Sequence, residues 1–368
     1  MSFILYLLAV LASVVVLVMV HELGHYLAAR AVGVKATEFF VGFGPRIWSF
    51  RRGDTEYGLK WILVGGYVKI LGMNPDEEVS PEDWPRSYRG VPHWKRLCII
   101  LAGSLFHVIL ALVLSFSAIY FVGVPNPDRP TTVIAEVGRY MEDGVEETPA
   151  WKAGLKEGDR ILAIDGEEVA DWWGVREYIR QNPGKEITLT VKRGKETLDI
   201  TVVLATREDG GGYLGVSPLE DRDRYGIGGA LVQTGKWFLQ ASYGVFYGIY
   251  RMFSWSTFKQ LLGISEPTPE RPVTVVGASR LAGKVASYGA FYFLNFLSFI
   301  LLFLAYVNLL PLPPLDGGHL LVVLVEKVTG RDVDLRKLYP VAVVVIAFFV
   351  TMFVLTLRLD ILNPIQLP

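Results

Sequence analysis

The sequence predicts an α-helical polytopic membrane protein with about four transmembrane helices and an inserted α+β domain. Two observations predict this fold class. Hydrophobic residues make up 51% of the 368 residues and gather in long uninterrupted blocks. Between the second and third blocks, residues 132–216 instead have the pattern of a soluble, β-rich domain, which includes two segments that alternate apolar and polar positions as half-buried strands do. A single soluble domain is therefore excluded.

Charge and cysteine content exclude further classes. Lys plus Arg is 36 and Asp plus Glu is 37, so the net charge is −1 and the excess of basic residues typical of a nucleic-acid binder is missing. One cysteine, Cys98, cannot form an internal disulfide or supply a thiolate zinc cluster. Any metal site in this chain must therefore use histidine and carboxylate ligands.

Four apolar segments are candidate transmembrane helices. They are 3–20 with its continuation to residue 29, then 97–122, about 290–310 and about 338–357. Each is near the roughly 20 residues that a helix needs to cross the hydrocarbon. A cleaved signal peptide is the alternative for the first segment, but no Lys or Arg precedes Arg30, so the positive region of a signal peptide is missing.

The basic residues predict an orientation for these helices. Eleven Lys or Arg lie between Arg30 and Arg96, and four lie in the loop from Lys327 to Lys337, which places both loops in the cytoplasm. The stretch 124–286 then lies on the outer side. Within it, 226–264 is apolar and aromatic but contains Lys236 and Arg251, which favours an interfacial amphipathic helix over a further span.

The inserted domain carries a recognisable pattern. Two alternating segments, 186–193 and 196–204, flank Arg193-Gly194-Lys195, which predicts a β-hairpin. The residues AGLKEGDRILAIDG at 153–166 resemble a PDZ domain of the bacterial, circularly permuted kind. That resemblance implies a groove for extended peptide ends along Tyr213, Leu214, Gly215 and Val216. A β-rich spacer without a ligand is the alternative.

The strongest chemical signal is His21-Glu22-Leu23-Gly24-His25 in the first apolar segment. On a helix, positions i and i+4 share one face, so both imidazoles can bind one zinc ion while Glu22 reaches a water molecule beside it. Ionisable groups inside a span are costly and point to function by default. The alternative is a polar cap at the membrane end of the helix.

Zinc needs a third protein ligand. The best candidate is Asp316, in the segment NLLPLPPLDGG at 308–318, where prolines break the third apolar segment. His319 is a rival ligand. Alternatively, Asp316 is only a capping residue for a helix that starts at His319.

These motifs together resemble the site-2 protease family of intramembrane zinc metalloproteases, and most closely its bacterial sigma-factor-regulating branch. The motifs are HELGH, GFGP at 42–45, GGYVKILGM at 65–73, the PDZ-like domain and NLLPLPPLDGG, which cover nearly the whole chain. The resemblance implies that His21, His25 and Asp316 bind zinc, that Glu22 is the general base, and that Asn308 holds the substrate or the developing oxyanion. It further implies a membrane-re-entrant β-hairpin at 56–70, where the strand Trp61, Ile62, Leu63 and Val64 pairs with unwound substrate.

The same resemblance implies a biological setting. The protein is expected in the bacterial inner membrane, with its active site toward the cytoplasm and its PDZ-like domain outside. Its substrates would be membrane-spanning proteins such as anti-sigma factors or leftover signal peptides, after a first cut by an upstream site-1-type protease. The chain departs from the family pattern at Ser104 and His107, where a proline and an asparagine are usual, and at 271–273, which reads Arg-Pro-Val.

The expected organisation has four parts. They are a first membrane half at 1–122, a PDZ-like domain at 128–220, an interfacial linker region at 221–287 and a second membrane half at 288–368. Two other functions compete with the protease: a catalytically silent PDZ scaffold, for which Glu22 would be dispensable, and a metal transporter, which would be expected to show internal repeats. No such repeat is visible in the sequence.

Overall fold

The structure is a computed structural model that describes residues 3–141, 146–207, 210–268 and 270–365. The chain forms two compact units. The helical unit comprises Met1–Ala118 and Ile227–Pro368, and the inserted unit comprises Ile119–Gly226. The PDZ-like domain expected at 128–220 falls inside the inserted unit.

Ten α-helices and ten strands are present among the described residues. The helices are α1 (Phe3–Ala31), α2 (His93–Ser117), α3 (Pro149–Lys152), α4 (Trp172–Gln181), α5 (Ile227–Met252), α6 (Trp255–Leu261), α7 (Val275–Ser287), α8 (Ala290–Asn308), α9 (Asp316–Thr329) and α10 (Tyr339–Leu362). The strands are β1 (Ala36–Arg52), β2 (Thr55–Ile70), β3 (Val124–Val137), β4 (Arg160–Ile164), β5 (Glu167–Glu168), β6 (Glu186–Arg193), β7 (Glu196–Val203), β8 (Ala205–Thr206), β9 (Gly212–Tyr213) and β10 (Val216–Asp223).

Four helical segments of the described chain are long and apolar enough to cross a membrane. They are Ser13–Ala31, His93–Val122, Ala290–Asn308 and Leu335–Leu362. The prediction of four spans is confirmed. Helix α5 is not among them, and one of its faces packs against α2 and α8 through Val245, Ala111 and Leu302, all fully buried.

The β-structure between α1 and α2 is larger than the sequence predicted. Strands β1 and β2 pair antiparallel and both are bent, so that Phe39 lies opposite Tyr57 on one side and Val68 on the other. The result is a four-stranded arrangement in the order 46–52, 55–60, 36–43 and 66–70. The prediction of a complete hairpin at 56–70 was wrong, because that segment supplies only the second half and the turn lies at Gly53, whose φ is +63°.

Two glycines explain the difference. Gly65 and Gly66 have the composition of a turn, yet they bend β2 instead of ending it. A Cβ on Gly66 would collide with Met19 Sδ of α1, and one on Gly65 would lie 3.6 Å from Val18. The glycines thus let the strand pass close to α1, which brings residues 66–70 to the edge of the sheet beside the HELGH sequence.

The inserted unit is an α+β domain. Its main sheet has the order β10-β3-β4-β6-β7, with β5 beside β4, and α4 covers a core that contains Ile161, Val175 and Leu189. Asp171 begins α4 as an N-cap whose side chain accepts a hydrogen bond from the Gly174 N–H. The predicted hairpin is confirmed, because Arg193 pairs with Glu196 across a two-residue loop.

Candidate metal centre

Helix α1 brings the two histidines of the HELGH sequence to one face. His21 Nε2 and His25 Nε2 lie 3.0 Å apart, and both side chains are buried, at 8% and 5% exposure. His25 Nδ1 lies 2.8 Å from the Ile99 carbonyl oxygen of α2. A carbonyl oxygen only accepts, so Nδ1 carries the proton and donates, which leaves the Nε2 lone pair of His25 facing His21.

Asp316 completes the group from the far end of the chain. Its Oδ2 lies 3.0 Å from His21 Nε2 and 3.3 Å from His25 Nε2. It is the first residue of α9, whose N-cap is Leu315, and its Oδ2 has no hydrogen-bond partner. The interpretation of Asp316 as a cap for a helix that starts at His319 was therefore wrong, since α9 already begins at Asp316.

The chemistry of these three donor atoms fits a metal ion. Two imidazole nitrogens and one carboxylate oxygen, all within 4.8 Å of one another, form the only such group of three found among the described residues. Asp316 Oδ2 and His21 Nδ1 are buried and have no hydrogen-bond partner. Two imidazole nitrogens and a carboxylate oxygen this close together need a proton or a metal ion between them, and nitrogen and carboxylate donors are those that zinc accepts.

Glycines make this convergence possible. Gly24 of α1 packs on the Ala102 carbonyl of α2 so closely that a Cβ would overlap it. A Cβ on Gly103 would lie 2.5 Å from His25 Nε2 and 2.8 Å from His21 Nε2. Gly103 was not among the predicted site residues, and the only signal for it in the sequence is a glycine inside an apolar span.

The Glu22 side chain reaches the sheet formed by β1 and β2. Its Oε2 accepts a hydrogen bond of 2.9 Å from the Val68 N–H, which belongs to the edge segment of β2. This bond holds the carboxylate in one orientation, directly beside the two histidines in the sequence. Residues 66–70 therefore lie next to the candidate metal centre.

His319 does not join the three donor atoms. It lines a separate cavity of about 420 Å³, together with Pro313, Tyr339 and Met73. The structure thus favours Asp316 over His319 as the third donor. Gly317 and Gly318, in the first turn of α9, lie against the backbone of residues 309–313. A Cβ at either position would collide with that backbone, so only glycine fits there.

His107, where the sequence departs from the family pattern, contacts the site. Its ring centroid is 5.0 Å from that of His21, and its Nε2 lies 2.9 Å from the Leu17 carbonyl oxygen, to which it donates. Leu17 is one helical turn before His21. His107 therefore packs α2 against the part of α1 that carries the first histidine.

The remaining predicted site residues are not part of this group of donor atoms. Asn308 is the last residue of α8 and is partly buried, and its side-chain amide makes no hydrogen bond to another described residue. The strand Trp61, Ile62, Leu63 and Val64 is 45–68% exposed at the apolar tip of the sheet. Tyr213, Leu214, Gly215 and Val216 line a groove of the inserted unit, but the Leu214 side chain is in the core, so only its backbone can meet a ligand.

An HELGH helix and a converging carboxylate within a bundle of membrane-spanning helices are the features of an intramembrane metallopeptidase. A family model described as Peptidase family M50, the site-2 proteases, matches residues 9–353, and the chain belongs to that family. It is an intramembrane zinc metalloprotease and a multi-pass membrane protein.

Individual relatives agree with this assignment. The chain is 31% identical to zinc metalloprotease Rip1 of Mycobacterium bovis, over 99% of this chain and 98% of the relative. It is likewise 31% identical to zinc metalloprotease Rip1 of Mycolicibacterium smegmatis, with the same coverage. Among solved structures, a PDZ domain of an SdrC-like protein from Listeria monocytogenes is similar at 21% identity, with 24% of this chain and 88% of that chain covered and a TM-score of 0.21.

Proposed function

We propose that His21, His25 and Asp316 hold the catalytic zinc ion and that Glu22 is the general base. The observation that carries this proposal is the approach of two imidazole nitrogens and one carboxylate oxygen to within 3.0–3.3 Å of one another, with Glu22 held in one orientation next to His21 in the sequence. The Ile99 carbonyl supports it, because it sets the tautomer of His25 that a metal ion requires.

The chain's residues then perform peptide hydrolysis as follows. When bound, zinc supplies Lewis acidity, which lowers the pKa of a water molecule toward neutrality and polarises a carbonyl group. Glu22 takes a proton from the attacking water, and the Val68 N–H keeps its carboxylate aimed at that water. As the carbon–nitrogen bond breaks, Glu22 returns the proton to the leaving amine. The Asn308 amide stabilises the negative charge that develops on the carbonyl oxygen.

The test is cleavage of a single-span model substrate by the purified protein in detergent. Glu22→Gln keeps an oxygen acceptor for the Val68 N–H but removes the base, so product formation should stop, as it should with a zinc chelator. Glu78→Gln is the matched control, since Glu78 is exposed and its side chain forms no hydrogen bond or salt bridge with another described residue. Continued cleavage by Glu22→Gln contradicts the assignment, and no cleavage by any form favours a silent scaffold.

We further propose how the chain sits in the bacterial inner membrane. The basic loops at 30–96 and 327–337 face the cytoplasm, and the inserted unit faces outward. The exposed apolar tip of the sheet, which includes Phe43, Trp48, Trp61 and Val64 at 45–68% exposure, dips into the bilayer as a re-entrant element. The test is labelling of intact cells with a membrane-impermeant thiol reagent. The reagent should label Lys195→Cys and should not label Trp48→Cys.

Substrate capture by main-chain pairing follows from the position of the sheet edge. A transmembrane helix hides its amides, so it must unwind before it is cut, and an open strand edge can hold the unwound stretch. The strand Trp61 to Val64 leads directly into the edge segment 66–70, where Val68 contacts Glu22. Ile62→Pro should reduce cleavage of an intact span more than that of a flexible peptide, and an equal loss on both substrates would contradict the idea.

We propose that the inserted unit acts as a filter for membrane-spanning substrates, such as anti-sigma factors or leftover signal peptides. It admits those substrates whose outer part a site-1-type protease has already removed. Its two ends lie side by side, since Val124 pairs with Asp223. Residues 124–223 can therefore be replaced by a short Gly/Ser linker with little strain on the rest. This replacement should release cleavage of untrimmed substrates, and unchanged selectivity would refute the filter.

A further inference from the structure

The groove of the inserted unit has a specific chemical character. It measures about 520 Å³ and lies between α4 and the segment 211–218. Its lining includes three arginines, Arg176, Arg180 and Arg207, against a single carboxylate, Glu220. The described walls of this groove are thus strongly basic, although the whole chain has a net charge of only −1.

Two of these arginines are available to a ligand. Arg176 and Arg180 are exposed and lie four residues apart on α4, and their side chains form no salt bridge or hydrogen bond with any other described residue. Arg176 lies 5.9 Å above the ring of Trp173, which is itself 49% exposed. Arg207 similarly lies 4.5 Å above the ring of Tyr213 on the opposite wall. Two guanidinium groups of the groove lining therefore lie over aromatic rings of the same lining.

The backbone at one end of the groove has spare donors. Within the described residues, neither the Leu214 N–H nor the Gly215 N–H donates a hydrogen bond, whereas both carbonyl oxygens accept one. Gly215 has a φ of +89°, in the left-handed region that favours glycine. Unpaired amides beside a strand suit an extended chain that ends in a carboxylate.

The spacing of the arginines matches an extended peptide. Four residues of helix rise about 6 Å, and side chains two residues apart on a strand lie about 6.8 Å apart on the same face. Arg176 and Arg180 can therefore each meet a carboxylate of a peptide that carries acidic residues at alternate positions. An anionic membrane surface presents no such periodic row and no end that reaches into a groove between two walls.

The PDZ resemblance already implies that an extended peptide end lies along Leu214 and Gly215. We infer that this groove selects acidic ends, whose alternate acidic side chains pair with Arg176 and Arg180. The inference rests on the proposed function only in that a first cut would create such an end. It adds a rule for substrate choice, because trimmed substrates that end in an acidic sequence would be held and neutral ones would not.

The test is peptide binding to the full-length Glu22→Gln protein in detergent, which cannot turn the peptide over. The probe is a fluorescein-labelled octapeptide that ends in leucine, with glutamate at the third and fifth positions from its C-terminus. Two comparison peptides have glutamine at those positions, or a C-terminal amide. Fluorescence anisotropy at low salt should show both comparison peptides binding at least about five-fold more weakly.

Variants of the protein locate the contacts. Arg176→Gln and Arg180→Gln should each weaken binding of the acidic peptide by up to about five-fold and together by about ten-fold or more, with less effect at high salt. Lys195→Gln is the matched control, since Lys195 lies in the β6–β7 turn and does not line the groove. Arg176→Lys with Arg180→Lys should restore most of the affinity, which excludes unfolding as the cause.

Three results would overturn the inference. They are equal affinity for the glutamate and glutamine peptides, equal effects of Arg180→Gln and Lys195→Gln, or arginine-dependent binding to phosphatidylglycerol vesicles without peptide binding. Because this readout needs no catalysis, loss of cleavage in the Glu22 experiment would leave it unaffected. Normal cleavage without selective peptide binding would refute the groove assignment alone.

Discussion

Gly103 offers the sharpest test of the metal centre, because the substitution Gly103→Ala adds one methyl group beside both histidines. In α2 the new Cβ would lie 2.5 Å from His25 Nε2, 2.6 Å from His21 Cε1 and 2.8 Å from His21 Nε2. None of these neighbours is the far end of a flexible chain, since His25 is held by the Ile99 carbonyl. The imidazoles must therefore move.

The displacement can be worked out. Ordinary contacts begin near 3.4 Å, so His25 Nε2 must shift by about 0.9 Å. Metal sites tolerate distance changes of about 0.2 Å, and a misplacement of about 1 Å at a reacting centre commonly reduces the rate about 100-fold. Alanine is favoured over glycine inside a helix by up to about 1 kcal/mol, so the helix itself is not weakened. We expect loss of bound zinc and at least about a 100-fold fall in kcat/KM.

The assay combines zinc content, by mass spectrometry of the purified protein, with cleavage of the single-span substrate in detergent. Gly235→Ala in α5 is the matched control, since its Cβ meets nothing within 4 Å. Wild-type zinc content and a cleavage rate within a factor of about two in Gly103→Ala would refute the reasoning. Such a result would mean that the donor atoms do not form the metal site in this geometry.

Two further predictions concern single side chains. Asp316→Ala should lose zinc whereas His319→Ala should keep it, because only Asp316 Oδ2 lies close to the nitrogens of His21 and His25. The zinc content of the two purified variants checks this prediction. The reverse pattern would make His319 the ligand. In the inserted unit, the hydrogen bond from the Thr188 backbone N–H, followed by those from Tyr178 and Lys185, lowers the pKa of Asp165 to about 2. Its ionised form therefore stabilises the folded unit above the usual carboxyl pKa, near 3.9, and this contribution is lost as the pH falls through about 2. Unfolding of the inserted unit can be followed as the urea concentration at which pepsin cuts half of the protein within 119–226. Asp165→Asn should lower this concentration at pH 4.5 but have little effect on it at pH 2. The same difference between variant and wild type at both pH values would contradict the assignment.

The spans and the HELGH helix were predictable because their signals are local. A run of about 20 apolar residues crosses a bilayer as a helix whatever surrounds it, since lipid leaves the backbone no other partner. The spacing of His21 and His25 follows from 3.6 residues per turn alone. The turn at Gly194 was equally readable, because two alternating segments flank it and its φ of +63° suits glycine.

The sheet and the groove were not predictable to the same extent. Gly65 and Gly66 have the composition of a turn in the sequence, and only the position of α1 shows that they serve close approach. Arg176 and Arg180 look like ordinary solvent-facing residues of an amphipathic helix. Their meaning depends on the strand segment 211–218 that lies opposite them, and nothing in α4 itself indicates it.

By itself, therefore, the sequence determined the membrane architecture, the paired histidines, the neighbouring glutamate and the class of chemistry. Each of these depends on residues that lie within a few helical turns of one another in the sequence. Only the tertiary structure decided between Asp316 and His319, since both lie near the start of α9 and the choice depends on which side chain faces α1. The same holds for the Val68 N–H on Glu22 and for the space that Gly103 leaves for two imidazoles. These are contacts between segments 46 or more residues apart, and such contacts follow from packing, which local patterns do not encode.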